Sequence, residues 1–308
     1  MNSAFSISVL AASLTSAISV QAQQPTGEDL VSVKAEASVS AIHPGDRFLV
    51  AVTFNIQPHW HIYWRNPGET GSATHIEVDA PEGFVVGDLL WPTPLNIQAD
   101  YLAYGYEDEV TLFVPVTAPA ELSGSETSAS FSITADWLVC KESCLLGTAN
   151  IDLAIPIESG SRSQGPASSA SFVIDDREMR AKVDQLPIAL DASEVAHGVT
   201  VKRVKLDHIV IEGPQPDGCD VIEFFPDPTP GVSLEVTREL AAADDDHDQP
   251  HFRVDIRAGV NAANTLGKSP RIRGVIALRS SRENSGEGDA AVIAYWLDVE
   301  LENAQPLR

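Results

Sequence analysis

Apolar and polar residues alternate along many short stretches of the first half of the chain, which is the period of half-buried β-strands. The alternation is clearest along residues 48–56, 131–135 and 151–157. Turn signals rich in Pro, Gly, Asn and Asp separate these stretches, for example at residues 43–46 and 66–69, with a spacing typical of an antiparallel sandwich. The pattern predicts a β-sandwich domain over residues 23–158.

The alternation stops at Glu158, where a Ser/Gly-rich run over residues 159–171 predicts a linker. A short helix is predicted from Asp175 to Gln185, ended by Pro187. Strand-like runs then resume and predict a second sandwich within residues 172–308; they are Val199–Leu206, His208–Glu212, Val221–Phe225, Val232–Thr237, Phe252–Arg257, Ile272–Leu278 and Val292–Leu301. The predicted fold class is all-β, with two antiparallel β-sandwich domains joined by this linker.

The amino terminus has the pattern of an export signal. Residues 4–20 are apolar with interspersed Ser and Thr, and Val20-Gln21-Ala22 places small residues at the −3 and −1 positions of a signal-peptidase site. We therefore predict a signal peptide over residues 1–22 and an exported protein. No later run reaches the roughly 18 apolar residues of a membrane-spanning helix, so no membrane span is predicted.

Charge and composition exclude several classes of function. The 308 residues contain 20 Lys and Arg against 44 Asp and Glu, a net charge of −24, which repels nucleic acid and anionic membrane surfaces. Phosphate loops, dinucleotide fingerprints, nucleophile elbows and His-Glu-x-x-His patterns do not occur in the sequence. We predict no cofactor and no nucleic-acid partner.

Cys140 and Cys144 form the sharpest chemical motif in the sequence. Residues four apart lie about 13 Å from each other on an extended strand, whereas a disulfide needs Cα atoms within about 7 Å. If the two are bonded, the chain turns between them and places Lys141-Glu142-Ser143 at a surface tip. Their close spacing makes them the natural pair in an oxidising compartment, and Cys219 is then left over.

Three roles are open for this pair. A structural staple is one, although closing so short a loop stabilises the fold by only about 2 kcal/mol. Redox exchange is another, because short exposed bridges react readily with thiolates; Lys141 would favour a thiolate and Glu142 would oppose it. Metal binding would need further ligands. His59 and His61, which would point to the same side of a strand, could lend nitrogens, but we predict no metal site.

Four motifs follow one another along the chain. They are Trp60-His61-Ile62-Tyr63-Trp64-Arg65-Asn66-Pro67-Gly68-Glu69, Leu90-Trp91-Pro92-Thr93-Pro94, Tyr104-Gly105-Tyr106-Glu107 and Val139-Cys140-Lys141-Glu142-Ser143-Cys144. In this order they resemble a known family, the periplasmic amino-terminal domain of the thiol:disulfide interchange reductase DsbD and its copper-sensitivity-suppressor relative ScsB. The resemblance covers about residues 30 to 157, and the relative also has a second immunoglobulin-like domain.

The resemblance implies immunoglobulin-like sandwiches and a cysteine pair that shuttles electrons. By position, Cys140 and Cys144 match the redox pair, and Cys144 matches the cysteine that forms mixed disulfides with partners. The family covers its pair with an aromatic cap loop, which corresponds here to residues 100–105. We therefore expect cap or shielding roles among Tyr101, Leu102, Tyr104 and Tyr106, with Trp137, Lys141 and Glu142 flanking the motif.

The family also implies partners. Its pair receives electrons from a membrane domain through a thioredoxin-like domain and passes them to periplasmic proteins. The expected partners are thus thioredoxin-like or disulfide-isomerase-like periplasmic proteins, with a membrane electron carrier supplied by another chain. The predicted function is periplasmic thiol-disulfide exchange through Cys140 and Cys144. The alternative is a non-catalytic binding module in which the disulfide is structural.

Overall fold

The computed structural model describes residues 25–98, 101–122, 127–158, 160, 172–190, 198–205, 207–227, 229, 232–242, 249–260, 270–280 and 293–301. The predicted signal peptide and all but one residue of the predicted linker lie outside these ranges. In the first half of the chain the described elements are α1 (Gly27–Leu30), β1 (Val31–Ala37), β2 (Arg47–Ile56), β3 (His61–Gly68), β4 (His75–Asp79), β5 (Val85–Val86), β6 (Leu95–Gln98), β7 (Leu102–Glu107), β8 (Glu109–Thr117), β9 (Ser128–Cys140) and β10 (Cys144–Pro156).

The second half is also built from strands. Its described elements are α2 (Arg177–Val183), β11 (Ile188–Leu190), β12 (Thr200–Lys205), β13 (His208–Pro214), β14 (Val221–Pro226), β15 (Val232–Ala241), β16 (His251–Val260), β17 (Arg271–Arg279) and β18 (Ile293–Glu300). Each predicted strand run after the linker corresponds to one of these strands. The helix predicted over residues 175–185 is present in shorter form, beginning after Asp176, whose carboxylate accepts a 2.7 Å hydrogen bond from the Met179 N–H.

Four sheets form two sandwiches. In the first sandwich, a sheet of order β1-β2-β8-β5 faces a sheet of order β10-β9-β3-β7-β6, with β4 paired to β9. In the second, β11-β18-β17-β14 faces β12-β13-β16-β15. Among the paired strands described, only β11 and β18 run parallel. The prediction of an all-β fold with antiparallel sandwiches is confirmed, while the domain boundaries stay a prediction.

Alternation along β9 determines which of its side chains point into the core of the first sandwich. Its inward side chains include Phe131, Ile133 and Trp137, which pack against Phe48 and Phe54 from β2. The outward residues of β9 therefore lie on the opposite face of the sheet. This alternation decides which residues can reach the sulfur atoms at the end of the strand.

Strand β2 is buried on both faces, although its alternating sequence predicted a half-buried strand. Its second face, with Leu49 and Ala51, is covered by residues 172–186. Met179 of α2 and Phe113 of β8 complete this small cluster. The segment that follows the predicted linker thus packs on the first sandwich.

The sheet β11-β18-β17-β14 is apolar on both faces and joins the two sandwiches. One face fills the core of the second sandwich, and the other contributes Phe225 and Trp296, with Val275, Ala277 and Ala294, to the core of the first. Polar contacts border this interface. Asp227 lies between Arg65 of the first sandwich at 3.2 Å and Arg273 of the second at 3.1 Å.

Candidate functional site at the Cys140–Cys144 hairpin

A tight hairpin joins the two longest described strands and carries the cysteine pair. Cys140 ends β9, Cys144 begins β10, and the two face each other with a Cα–Cα distance of 4.2 Å and a disulfide between them. The backbone N–H of Lys141 donates to the carbonyl oxygen of Ser143 across the three-residue tip, at 3.2 Å. The predicted turn and pairing are confirmed, and Lys141 and Glu142 are exposed at the tip as expected.

The two sulfur-bearing residues differ in accessibility. Cys140 is only 2% exposed, whereas Cys144 is exposed on β10, the edge strand of its sheet. Leu146, two residues further on and directed to the same face as Cys144, is 78% exposed. An incoming group can therefore reach Cys144, and an exposed apolar side chain, Leu146, lies beside it.

Cys140 is buried by an apolar cluster on the outer face of the sheet. Its members are Tyr63, Ile97 and Ala103, with Leu95 and Leu138 packed against them. Tyr63 is itself held beneath Gly71, where an added Cβ would lie 2.3 Å from the ring. This cover was not predicted from the sequence, although the alternation Leu95-x-Ile97 opposite Ala103 is a strand signal that could have indicated it.

The cap residues expected from the resemblance lie elsewhere. Tyr104 and Tyr106 belong to the core of the first sandwich, and the Tyr106 hydroxyl donates to the carbonyl oxygen of Pro92 at 2.8 Å. Alternation along β7 turns them to the face opposite Ala103, and alternation along β9 does the same for Trp137. The predicted shielding of the sulfurs by Tyr104 and Tyr106 is wrong for this reason, and Trp137 flanks the motif in sequence without facing the sulfurs.

Tyr101 and Leu102, the remaining cap candidates, are not among the described residues that cover Cys140. Leu102 lies in a crevice with Tyr104 and Phe225, on the side of the sheet that meets the second sandwich. Tyr101 is exposed at the start of β7. Aliphatic residues of β6 and β9, together with Tyr63, take the place of the expected aromatic loop over Cys140.

Four residues form a row across the sheet on the sulfur-bearing face. Glu107 of β7 faces His61 of β3, His61 faces Cys140, and Cys140 faces Cys144. Burial lowers the pKa of the His61 imidazole and raises the pKa of the neighbouring Tyr63 hydroxyl. From the sequence, His61 was a candidate only for metal binding, and its place beside Cys140 was not predicted.

His59 does not share that face. It lies before β3 in a turn, with a φ of 71°, so the expectation that His59 and His61 point to one side of a strand is wrong. No group of three or more His, Cys, Asp and Glu residues suited to a metal ion occurs in the part of the chain that is described.

The second sandwich anchors the strands that cover Cys140. Asn66, at the end of β3, donates a 2.6 Å hydrogen bond to the carbonyl oxygen of Pro226. The buried guanidinium of Arg279 donates a 2.6 Å hydrogen bond to the carbonyl oxygen of Pro94, directly before β6. The strands that present Tyr63, Leu95 and Ile97 are thus held from the other sandwich.

Comparison with known proteins assigns the domain that bears the hairpin. The family model described as the amino-terminal part of the thiol:disulfide interchange protein DsbD matches residues 27–156. These residues form a DsbD amino-terminal domain. The match includes both cysteines, the row from Glu107 to Cys144 and the residues that cover Cys140. No curated protein matches the sequence.

Several solved structures are similar to the chain. The N-terminal periplasmic domain of ScsB from Proteus mirabilis matches with 15% identity and a TM-score of 0.49, over 90% of this chain and 96% of that one. The yeast GGA1 GAE domain matches with 11% identity and a TM-score of 0.25, over 43% and 95%. The collagen adhesin of S. aureus matches with 9% identity and a TM-score of 0.19, over 88% and 93%.

Proposed function

We propose that the DsbD-type domain exchanges disulfides with partner proteins through Cys140 and Cys144. The observation that carries the proposal is the unequal exposure of the bonded pair. A partner thiolate can approach the exposed Cys144, whereas Cys140 is covered by Tyr63 and Ile97. Accessible disulfides in short loops are the ones that exchange.

The reaction divides between the two sulfurs. A partner thiolate attacks Sγ of Cys144, a mixed disulfide forms, and Cys140 leaves as a thiolate that takes up a proton. A second thiol of the partner, as the thiolate, then attacks the partner sulfur that is bonded to Cys144. The bond to Cys144 breaks, so that the partner is oxidised and the pair of cysteines is reduced. In the opposite direction Cys144 attacks a partner disulfide, and Cys140 resolves the mixed disulfide.

The partners proposed are thioredoxin-like or disulfide-isomerase-like proteins of the periplasm. The family assignment supports a periplasmic place, and among the described residues no helix is long and apolar enough to cross a membrane. Export would depend on the signal peptide proposed at residues 1–22. The amino-terminal sequence of the secreted protein tests this, since cleavage after Ala22 leaves Gln23 as the first residue.

Two variants test whether the two sulfurs have different roles in the exchange. In a Cys219→Ala background, Cys140→Ser leaves Cys144 as the single thiol and Cys144→Ser leaves Cys140. We expect Cys144 to react with an aromatic disulfide reagent at least about tenfold faster than Cys140, and to trap a thioredoxin-fold partner as a mixed disulfide. Equal reactivity of the two thiols would contradict the proposal.

The reduction potential of the pair separates exchange from a structural role. We expect a value above about −300 mV, within the range of proteins that exchange disulfides. A value far below that limit would identify a stable staple and favour the alternative of a non-catalytic binding module. Equilibration with a dithiol buffer of known potential, followed by trapping of free thiols, measures it.

A further inference from the structure

We propose that His61 is the proton acceptor for the Cys140 thiol, a role that rests on the proposed exchange function. His61 lies directly opposite Cys140 in the antiparallel pairing of β3 with β9. Facing side chains project from the same side of a sheet, with Cβ atoms about 4.5–5.5 Å apart, which is within reach of an imidazole and a thiol. The His61 ring is buried beside the Tyr63 ring, with centroids 5.1 Å apart.

The surroundings of Cys140 create the need for a base. Only a thiolate can attack a disulfide, and Cys140 is packed among Tyr63, Ile97, Ala103, Leu95 and Leu138. None of these side chains carries a charge that would stabilise a thiolate at neutral pH, and burial disfavours the charged form. A proton acceptor on the same face offsets this cost by leaving a thiolate–imidazolium pair in place of an isolated anion.

The groups around His61 suit it to this task. Burial lowers the pKa of the imidazole, so near neutral pH it is unprotonated and free to accept a proton. Tyr63 on its own strand has its pKa raised by burial and stays neutral. Glu107 faces His61 from β7 and is exposed; as a carboxylate it would favour the imidazolium once formed. Lys141 and Glu142 lie at the exposed hairpin tip.

In the resolving step, a proton moves from Cys140 to His61 before the intramolecular disulfide forms. With Cys144 bonded to a partner sulfur, the Cys140 thiol passes its proton to His61. The Cys140 thiolate attacks Sγ of Cys144, the intramolecular disulfide forms, and the bond between Cys144 and the partner breaks. The partner leaves as a thiolate, which takes up the proton from the His61 imidazolium directly or through solvent. Two thiols of the domain are oxidised and one partner disulfide is reduced.

An aromatic disulfide reagent separates the two steps in one experiment. When the reduced Cys219→Ala protein reacts with Ellman's reagent, attack by Cys144 releases a first coloured thiolate, and attack by Cys140 on the resulting mixed disulfide releases a second. Stopped-flow absorbance records two phases. The rate of the second phase, followed from about pH 6 to about pH 9, reports on ionisation of Cys140.

We expect His61→Gln to slow the second phase at neutral pH by at least about tenfold and to make its rate rise with pH as a single thiol ionises. The first phase should change little. His59→Gln is the matched control, because His59 is exposed and lies two residues away outside the strand, and it should leave both phases unchanged. A second phase in His61→Gln within twofold of the unsubstituted protein at every pH would overturn the proposal.

A measurement on the unsubstituted protein tests the role of His61 even if the His61→Gln variant fails to fold. The imidazole resonances of His61, followed by NMR in the oxidised and reduced states, should titrate differently, because only the reduced state places a thiol beside the ring. Identical titration in both states would refute the role of His61. Absence of both absorbance phases in the unsubstituted protein would instead refute the exchange function itself.

Discussion

Replacing Phe225 with alanine removes the ring through which the second sandwich enters the core of the first. Phe225 is 1% exposed and contacts Trp64 and Tyr104 edge-on, with ring centroids 6.3 Å and 5.2 Å apart. Truncation of a buried Phe to Ala costs about 3–5 kcal/mol, and each aromatic pair contributes about 0.5–1.5 kcal/mol beyond its buried area. The measured range for such truncations already includes the ring contacts that they remove, so we expect a decrease of about 4 kcal/mol in the free energy of unfolding.

Urea unfolding followed by circular dichroism and by tryptophan fluorescence measures this loss. Because the sandwiches share an apolar interface, we expect the unsubstituted protein to unfold in one transition. Phe225→Ala weakens this coupling, so we expect the variant to unfold in two. Phe252→Ala is the matched control, since it removes the same ring from the core of the second sandwich, where Phe252 stacks on Tyr295 with centroids 6.2 Å apart. It should destabilise the protein while leaving the two spectroscopic transitions coincident.

Two results would contradict this reasoning. A loss below about 1 kcal/mol in Phe225→Ala would mean that the ring contributes no more than a surface contact. Separation of the transitions in Phe252→Ala, with coincidence in Phe225→Ala, would mean that the sandwiches are coupled elsewhere, for example through Asp227 and its two arginine partners.

Three further predictions concern the domain that bears the hairpin. Reduction of the Cys140–Cys144 disulfide should lower the free energy of unfolding by no more than about 2 kcal/mol, because the closed loop is short; urea unfolding with and without dithiothreitol checks that the reduced domain stays folded. Because burial lowers the pKa of His61, the unfolded chain binds the proton more tightly, and the free energy of unfolding should fall as pH decreases below about 6.5, by up to about 1.4 kcal/mol per pH unit. His61→Gln should remove this part of the pH dependence and His59→Gln should not. Gly147→Ala should cost about 1–3 kcal/mol, because its Cβ would lie 2.3 Å from the Trp137 ring, whereas Thr148→Ala at the exposed neighbouring position should change stability by less than about 0.5 kcal/mol in the same assay.

Local chemistry made the hairpin and most strands predictable from the sequence. Cysteines four residues apart require a turn if they are bonded, and the turn between Cys140 and Cys144 is present. The strands after the linker have strong apolar runs and were predicted within a few residues. The helix at Arg177–Val183 follows from its Asp176 cap. These features depend on contacts within or between adjacent elements.

Features that depend on distant parts of the chain were not predictable in the same way. The resemblance indicates a cap near residues 100–105 by order along the chain, but the face to which Tyr104 and Tyr106 point depends on the register of β7. A shift of one residue exchanges the two faces of a strand. His61 likewise becomes a neighbour of Cys140 only through the pairing of β3 with β9, which spans almost eighty residues of sequence.

The runs at Val221–Phe225 and Ile272–Leu278 show how the interface between the sandwiches could be recognised from sequence. A strand with one solvent-facing side alternates, whereas β14 and β17 carry apolar residues at consecutive positions, such as Phe224-Phe225 and Val275-Ile276. Consecutive apolar positions indicate burial on both faces. Since Phe224 and Ile276 fill the core of the second sandwich, the alternate residues Phe225 and Val275 require a second cover. That cover is the first sandwich.

The same strands contribute Pro226 and Arg279, which hold β3 and the start of β6 by hydrogen bonds. The burial that stabilises the interface therefore also fixes the strands around Cys140.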